Sequence, residues 1–493
     1  MLALLGASLT FAFAPFDYWY LLFLVLPMVI YTLFSLNTSL FWPAWSFGFG
    51  YFGAGISWVH VSIAEFGGLP LIASLLLMAI LCAYLALYPA LTFWLLGKYM
   101  PRRLWPLSLP FAWMLMEYLR ARVLTGFPWL SIAYSQSNSV LSAYLPVVGE
   151  TGLSVLIITA CCALAFAIKQ RNYVIGVSPI IVLFVGALTL QNVNWVTTTD
   201  STRSVALVQG NIEQSMRWQP ELDEMTINKY LALTDPYWQH DIVIWPEAAL
   251  PSLESLSSTT LKHLDQLATL TNTGFITGVV DYNLDTNIAY NSLLALGIDN
   301  TINSEPYAYQ HSKRFSKHHL LPIGEFVPFE DLLRPLAPIF DLPMSSFTRG
   351  EYVQNNLVVN NTSLVPAICF EIAFPKQIAA NLQAATHAIV TVSNDAWFGD
   401  SHGPHQHLQI AQVRAKEFGL PVLRATNNGV TAIVDHTGNI VDQLPQFSAQ
   451  VLSSNINLVN GKTPYRIWGD LPVMFLSIFS LFIAFWLLYK QKS

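Results

Sequence analysis

Between Met1 and about Gln191 the sequence is a succession of apolar runs with very few charges among them. Candidate spans are 2–15, 18–36, 41–61, 69–96, 104–119, 153–168 and 174–190, and an eighth run, 471–488, follows much later. Several reach the roughly 20 apolar residues a helix needs to cross the hydrocarbon core. Buried helices of a large soluble core are a poor alternative, because the first seven runs follow one another almost without charge. The first run is short. No basic segment precedes it and no small-residue cleavage site follows, so it reads as a retained span rather than a signal peptide. Only 11% of the chain is charged, against about 25% in average proteins.

Eight spans put both termini on one side of a bilayer. Lys98, Arg102 and Arg103, then Lys169 and Arg171, then Lys490 and Lys492 share one face on that count. The positive-inside rule makes that face cytoplasmic, so the segment between the seventh and eighth spans lies outside the cytoplasm. Arg120 and Arg122 fall on the outer face and break the bias. They read either as functional or headgroup-facing residues or as simple interfacial anchors. A net charge of −6 gives no support for nucleic-acid binding. Four scattered cysteines, three of them in apolar runs, make neither a disulfide framework nor a thiol metal site.

The expected organisation is therefore an N-terminal transmembrane domain of about seven helices (1–191), an extracytoplasmic domain (192–467), and a C-terminal transmembrane helix with a short tail (468–493). The middle segment has the composition of a globular α/β domain. Strand-like runs at 204–209, 241–245, 275–280, 292–296, 364–369, 388–392 and 431–435 are interspersed with helix-like segments such as 258–270 and 406–418. This alternation predicts sheets covered by helices.

Three places in this domain carry reactive groups. At 364–375 (LVPAICFEIAFP) an apolar run ends at Cys369, the one cysteine outside the apolar N-terminal half. A strand leading into a sharp turn exposes a nucleophile and aims the next N–H groups at the attacked carbonyl; equally, a free cysteine is often a small buried hydrophobe. At 241–251 (DIVIWPEAALP) a buried-looking strand ends in Pro246 and Glu247. Beside Trp245 that carboxylate would be partly desolvated and suited to accept a proton; the other reading is a helix N-terminal Glu. At 313–328 Lys317 precedes an apolar, Pro- and Gly-punctuated segment bearing one carboxylate, Glu325. Lysines are commonest on surfaces, yet here one would neutralise an oxyanion or balance a thiolate against two carboxylates. An ammonium next to Cys369 predicts a reactive thiolate.

The segments around Glu247, Lys317 and Cys369, in this order and spacing, resemble the Glu-Lys-Cys triad of the nitrilase superfamily. The blocks at 394–399 (NDAWFG) and 424–429 (RATNNG) are similar to two further blocks of it. With the N-terminal spans, the C-terminal span, and the motifs at 117–120 (EYLR), 125–129 (TGFPW), 134–136 (YSQ) and 403–407 (GPHQH), the whole chain resembles the apolipoprotein N-acyltransferase family of the bacterial inner membrane. That resemblance implies an αββα sandwich on the periplasmic side of a membrane domain, and a ping-pong reaction without cofactor or metal. Cys369 would take an acyl chain from a phospholipid as a thioester and pass it to the α-amino group of an apolipoprotein's diacylglyceryl-cysteine. Glu247 is then the general base and Lys317 the stabiliser of the tetrahedral intermediate. Glu325 and Glu371 match supporting glutamates, and Trp218 and Phe370 substrate-side aromatics; Glu371 would serve equally as a salt-bridge partner of the turn.

Two other readings share some of these features. A membrane-tethered amidase or nitrile hydrolase would use the same triad with water as acceptor, but gives no reason for seven N-terminal spans. A transporter with an accessory domain would place charges at mid-membrane, whereas Asp17 and Glu117 lie near predicted span ends. The stretch 332–347 is apolar enough to touch the bilayer or act as a lid, or to be a buried core loop. His402, His405 and His407 match no standard zinc spacing and predict hydrogen-bonding roles.

Overall fold

The structure, a computed structural model, describes residues 1–66, 68–216, 219–283, 286–297, 305–322, 324–326 and 347–490. It divides into two compact units, Met1–Trp195 with Asp400–Gln409 and Lys462–Ser493, and Val196–Gly399 with Ile410–Gly461. Trp218 and nearly all of the candidate lid 332–347 lie outside the described residues.

The first unit is helical. Leu71–Tyr99, Val140–Gln170 and Leu471–Lys490 are long and apolar enough to cross a membrane, and Leu2–Ala12, Trp19–Ser35 and Gly176–Leu190 are shorter apolar helices. The runs at 41–61 and 104–119 become the helices Phe41–Gly55 and Trp105–Arg120. Where 153–168 is the expected run, helical structure begins earlier, at Leu145, and is broken by a kink at Gly149 (φ +64°); Gly149, Glu150 and Gly152 interrupt the apolar signal before the long helix resumes. Along Leu471–Lys490, Val473, Ser477 and Ala484 are buried while Phe475, Ile478, Phe482 and Phe485 are exposed. A helix facing water shows the opposite pattern; small residues inward and large apolar ones outward suit a lipid solvent. The same logic operates at Gly6, where a Cβ would fall 2.1 Å from the Phe47 carbonyl oxygen. Only glycine lets those two helices approach so closely.

The second unit is a sandwich. Its twelve described strands are β1 (Val196–Gln209), β2 (Ile242–Ile244), β3 (Gly274–Asn283), β4 (Ile288–Gly297), β5 (Arg314–Ser316), β6 (Leu357–Val359), β7 (Thr362–Ile368), β8 (Thr386–Ser393), β9 (Val422–Thr426), β10 (Ala432–Val434), β11 (Ile440–Gln443) and β12 (Gln450–Gly461). They form one sheet ordered β12-β1-β2-β3-β4-β5 and a second ordered β11-β10-β9-β8-β7-β6. Each has a parallel trio, β1-β2-β3 and β7-β8-β9, flanked by antiparallel neighbours. Parallel neighbours require crossovers, supplied by helices such as Pro220–Thr234, Ser258–Leu270 and Gly403–Phe418.

Strand periodicity builds the layers. Val205 and Leu207 of β1 and Ile242 and Ile244 of β2 point into the core between the sheets, where they join Leu364, Ile368, Val390 and Leu423. Their alternates, Ala206, Val208, Val243 and Trp245, pack with Tyr230, Leu261 and Leu264 of the covering helices. Successive side chains face opposite ways, so a strand between two apolar layers reads as a continuous hydrophobic run. The parallel arrangement also brings the ends of β2, β7 and β8 to the same edge, each followed by a residue with chemistry to do.

Candidate active site

β7 ends at Ile368, and Cys369 follows with φ +54°. That left-handed conformation is disfavoured for a residue with a Cβ, and it turns the chain out of the sheet immediately after an apolar strand. Glu371 holds the turn. One carboxylate oxygen accepts the Ile368 N–H at 2.8 Å; the other accepts His318 and His319 N–H at 2.8 and 3.0 Å and Gln377 Nε2 at 2.6 Å. Burial raises the Glu371 pKa, and these N–H donors oppose the rise by favouring the anion. Glu371 therefore ties the Cys369 turn to the chain beyond Lys317 through backbone hydrogen bonds rather than through a salt bridge.

Glu247 follows β2 by way of Trp245 and Pro246. Trp245 is fully buried, stacked on Tyr230 at 4.8 Å, with its indole N–H donated to Thr234 at 2.9 Å. Glu247 starts no helix; the alternative of a helix N-terminal carboxylate is overturned, because the chain leaves β2 as irregular turns and Ala248 takes φ +46°. Its Oε2 instead accepts the Asn394 backbone N–H at 2.9 Å, and its Oε1 accepts Asn291 Nδ2 at 2.8 Å.

Lys317, just past β5, is 2% exposed, far from the surface position commonest for lysine. Its backbone N–H is bound to Asn291 O at 2.8 Å. Its ammonium lies 2.8 Å from Glu325 Oε1 and 3.4 Å from Glu247 Oε1. Glu325 Oε2 accepts the Leu321 N–H at 2.8 Å, and Asn291 Nδ2 reaches Glu325 Oε1 at 3.1 Å as well as Glu247. One buried amide thus spaces two carboxylates around one ammonium.

The electrostatics determine the resting state. Burial works against the Lys317 ammonium, yet Glu325 and Glu247 together outweigh it and drive its pKa above the lysine range. Burial pushes the Cys369 thiol up, the Glu247 charge adds to that, and Lys317 opposes without prevailing. The balance favours the thiol over the thiolate. This corrects the expectation of a preformed thiolate: the ammonium's charge is already shared between two carboxylates, so attack needs a base to remove the proton as the new bond forms.

Two groups in the site escaped the sequence reading. Asn291 lies inside β4 next to Ser292 and carries no motif. Ser393, at the end of β8, places Oγ 3.4 Å from Cys369 Sγ and 2.5 Å from Asp395 Oδ1, while Asp395 Oδ2 pairs with Arg424 at 2.6 Å. The blocks beginning at Asn394 and Arg424 did signal this neighbourhood. Phe370 is buried against Phe374 in an edge-on contact at 5.1 Å.

In the helical unit, Arg120 is buried and turned inward. It donates to the carbonyls of Phe127 and Trp129, both at 2.6 Å. Arg122 lies over the Tyr118 ring at 3.5 Å. His402 Nε2 is 3.1 Å from Gly55 O, and the buried His407 ring packs on Trp129 at 5.5 Å.

A double-sheet sandwich with a carboxylate, an ammonium and a cysteine brought to one edge defines the carbon-nitrogen hydrolase class, whose family profile matches residues 204–463. A second profile, the apolipoprotein N-acyltransferase N-terminal domain, matches residues 5–163. The apolipoprotein N-acyltransferase of Vibrio parahaemolyticus is 43% identical over 99% of this chain and 97% of its own length. That of Vibrio cholerae is 44% identical over 98% and 96%. The chain belongs to the apolipoprotein N-acyltransferase family. Among solved structures, the carbon-nitrogen hydrolase of Helicobacter pylori aligns with 55% of this chain and 94% of its own, at 13% identity and a TM-score of 0.40.

Proposed function

We propose that this protein transfers an acyl chain from a phospholipid to the α-amino group of the diacylglyceryl-cysteine that begins an apolipoprotein, through a thioester on Cys369. The observation that carries the reading is the Lys317 ammonium held between Glu325 and Glu247, in electrostatic contact with a cysteine on a left-handed turn. Glu247 takes the proton from Cys369 Sγ as sulfur bonds to the ester carbon. The oxyanion that forms draws on the Lys317 charge. The carbon–oxygen bond then breaks, the proton passes from Glu247 to the leaving oxygen, and lysophospholipid departs. In the second half, the amine attacks the thioester carbon and gives a proton to Glu247. The carbon–sulfur bond breaks, and the sulfur recovers its proton. Glu325 keeps the ammonium in place; the family resemblance gives Phe370 and Trp218 the part of substrate-side aromatics, and Trp218 lies outside the described residues.

The domains are assigned as 1–191, 192–467 and 468–493. Clusters at Lys98–Arg103, Lys169–Arg171 and Lys490–Lys492 support a cytoplasmic location for those loops, and with it an inner-membrane protein whose catalytic domain is periplasmic. A domain joined at both ends to apolar helices meets two lipid substrates without waiting for either to cross water.

The purified chain, given a phospholipid with an alkyne-tagged acyl group and a diacylglyceryl-cysteine peptide, should place the tag on the peptide amine. Release of tagged free fatty acid in place of tagged peptide would identify water as the acceptor and a hydrolase. Cysteine-accessibility labelling that puts residue 301 in the cytoplasm would overturn the orientation.

A further inference from the structure

Ser393 has one hydroxyl proton and two acceptors within reach. Asp395 Oδ1 is at 2.5 Å and Cys369 Sγ at 3.4 Å. A carboxylate oxygen at that distance is by far the stronger acceptor. Asp395 is moreover paired through its other oxygen with Arg424 at 2.6 Å, and both side chains are fully buried. A Cβ on Gly429 would fall 2.1 Å from Asp395 Oδ2, so the backbone there closes the remaining space around the carboxylate. With its proton committed to Asp395, the serine oxygen faces the sulfur with its lone pairs.

We propose that Ser393 is a positioning residue whose orientation, imposed by the Asp395–Arg424 pair, makes it the hydrogen-bond acceptor of the resting Cys369 thiol. The proton stays on sulfur, its S–H bond pointed at Ser393 Oγ until donor ester enters, and then passes from sulfur to Glu247. An oxygen that cannot donate also gives a thiolate nothing, so the free enzyme keeps its nucleophile protonated and protected from oxidants and stray electrophiles. This rests on Cys369 being the nucleophile. The charged groups facing the sulfur are Glu247 from the β2 end, Lys317 from beyond β5, and Asp395 after β8, with Glu325 paired to Lys317 and Arg424 to Asp395. Ser393→Ala removes none of these charges; it takes one hydroxyl donor from Asp395, whose pair with Arg424 remains.

The test uses the detergent-solubilised full chain. Iodoacetamide alkylation of Cys369, followed by peptide mass across pH, reads the apparent thiol pKa. Ser393→Ala should lower it by about 0.5–1 unit, the worth of one net hydrogen bond to the thiol. A serine that donated to the sulfur would give the opposite shift, and a merely space-filling serine none; either result overturns the proposal. In the wild type, the infrared S–H band assigned by its loss in Cys369→Ala should lie below that of a free thiol and move up in Ser393→Ala. A band that does not move would equally overturn it. Acyl mass mapping to a residue other than Cys369 would sink the functional reading instead, and the two failures are told apart because band and profile report on the sulfur alone.

Discussion

The ammonium of Lys317 lies closer to Glu325 than to Glu247, 2.8 Å against 3.4 Å. The shorter pair is therefore with the carboxylate that the proposed chemistry does not use, which leaves Glu247 the more loosely held partner of the ammonium.

Glu325→Gln tests that division. The neutral amide would release the ammonium to Glu247, and a carboxylate in a tighter ion pair is a weaker base. Acyl-enzyme formation should slow by up to about 100-fold, the lower end of what a general base contributes. Stopped time courses of acyl mass gain measure it. A wild-type rate in this variant would make Glu325 a bystander.

Loss of the charge itself should cost more. Lys317→Ala should reduce turnover by at least about 10²-fold, the usual effect of deleting one oxyanion stabiliser. Lys317→Arg should not restore it, because a planar guanidinium cannot occupy the place of a compact ammonium between Glu247 and Glu325. Steady-state transfer assays decide it, and near-normal activity in the arginine variant would argue for a structural lysine.

Glu247→Gln should separate chemistry from reactivity. The Glu247 charge holds the Cys369 thiol up, so its removal lets the thiol ionise at lower pH. Alkylation of Cys369 by iodoacetamide at neutral pH should become faster than in the wild type, while acyl transfer from phospholipid should be lost. Slower alkylation in the variant would mean that Glu247 does not raise the thiol.

Much of this site was legible because two of its three reactive residues, Glu247 and Cys369, follow apolar runs. The runs before Glu247 and Cys369 are β2 and β7, buried on both faces, and burial on both faces writes itself into sequence as unbroken hydrophobicity. Where an edge strand is half exposed, that signal fades. β12, with Ser453, Ser454, Asn455 and Asn457, is recognisable only by its pairing with β1. β5 is three residues long and its apolar member, Phe315, stands alone, so the strand that delivers Lys317 left no pattern. Asn291 and Ser393 were invisible for a different reason. Their roles depend on which partner takes a proton, and only three-dimensional distances reveal that. The expected thiolate went astray similarly, since sequence shows that a lysine is near but not that two carboxylates share it.

Glu371→Ala should destabilise the sandwich unit rather than merely slow it. The variant leaves the N–H groups of Ile368, His318 and His319 without their buried acceptor, at about 1–3 kcal/mol for a group left unpaired. Thermal unfolding should fall by several degrees, with the turn at Cys369 and the segment after Lys317 gaining the most hydrogen exchange. Unchanged melting with lost activity would assign Glu371 to the chemistry instead.

The central claim is that Cys369 carries the acyl group, and intact-protein mass after incubation with phospholipid alone tests it most directly. The wild type should gain the mass of one acyl chain. The adduct should be hydroxylamine-sensitive, map to Cys369, and disappear when a diacylglyceryl-cysteine peptide is added. Cys369→Ala should gain nothing, and Cys369→Ser should be inert or stall as a poorly transferring oxygen ester. An adduct on Cys82, Cys161 or Cys162, or full transfer by Cys369→Ala, would contradict it.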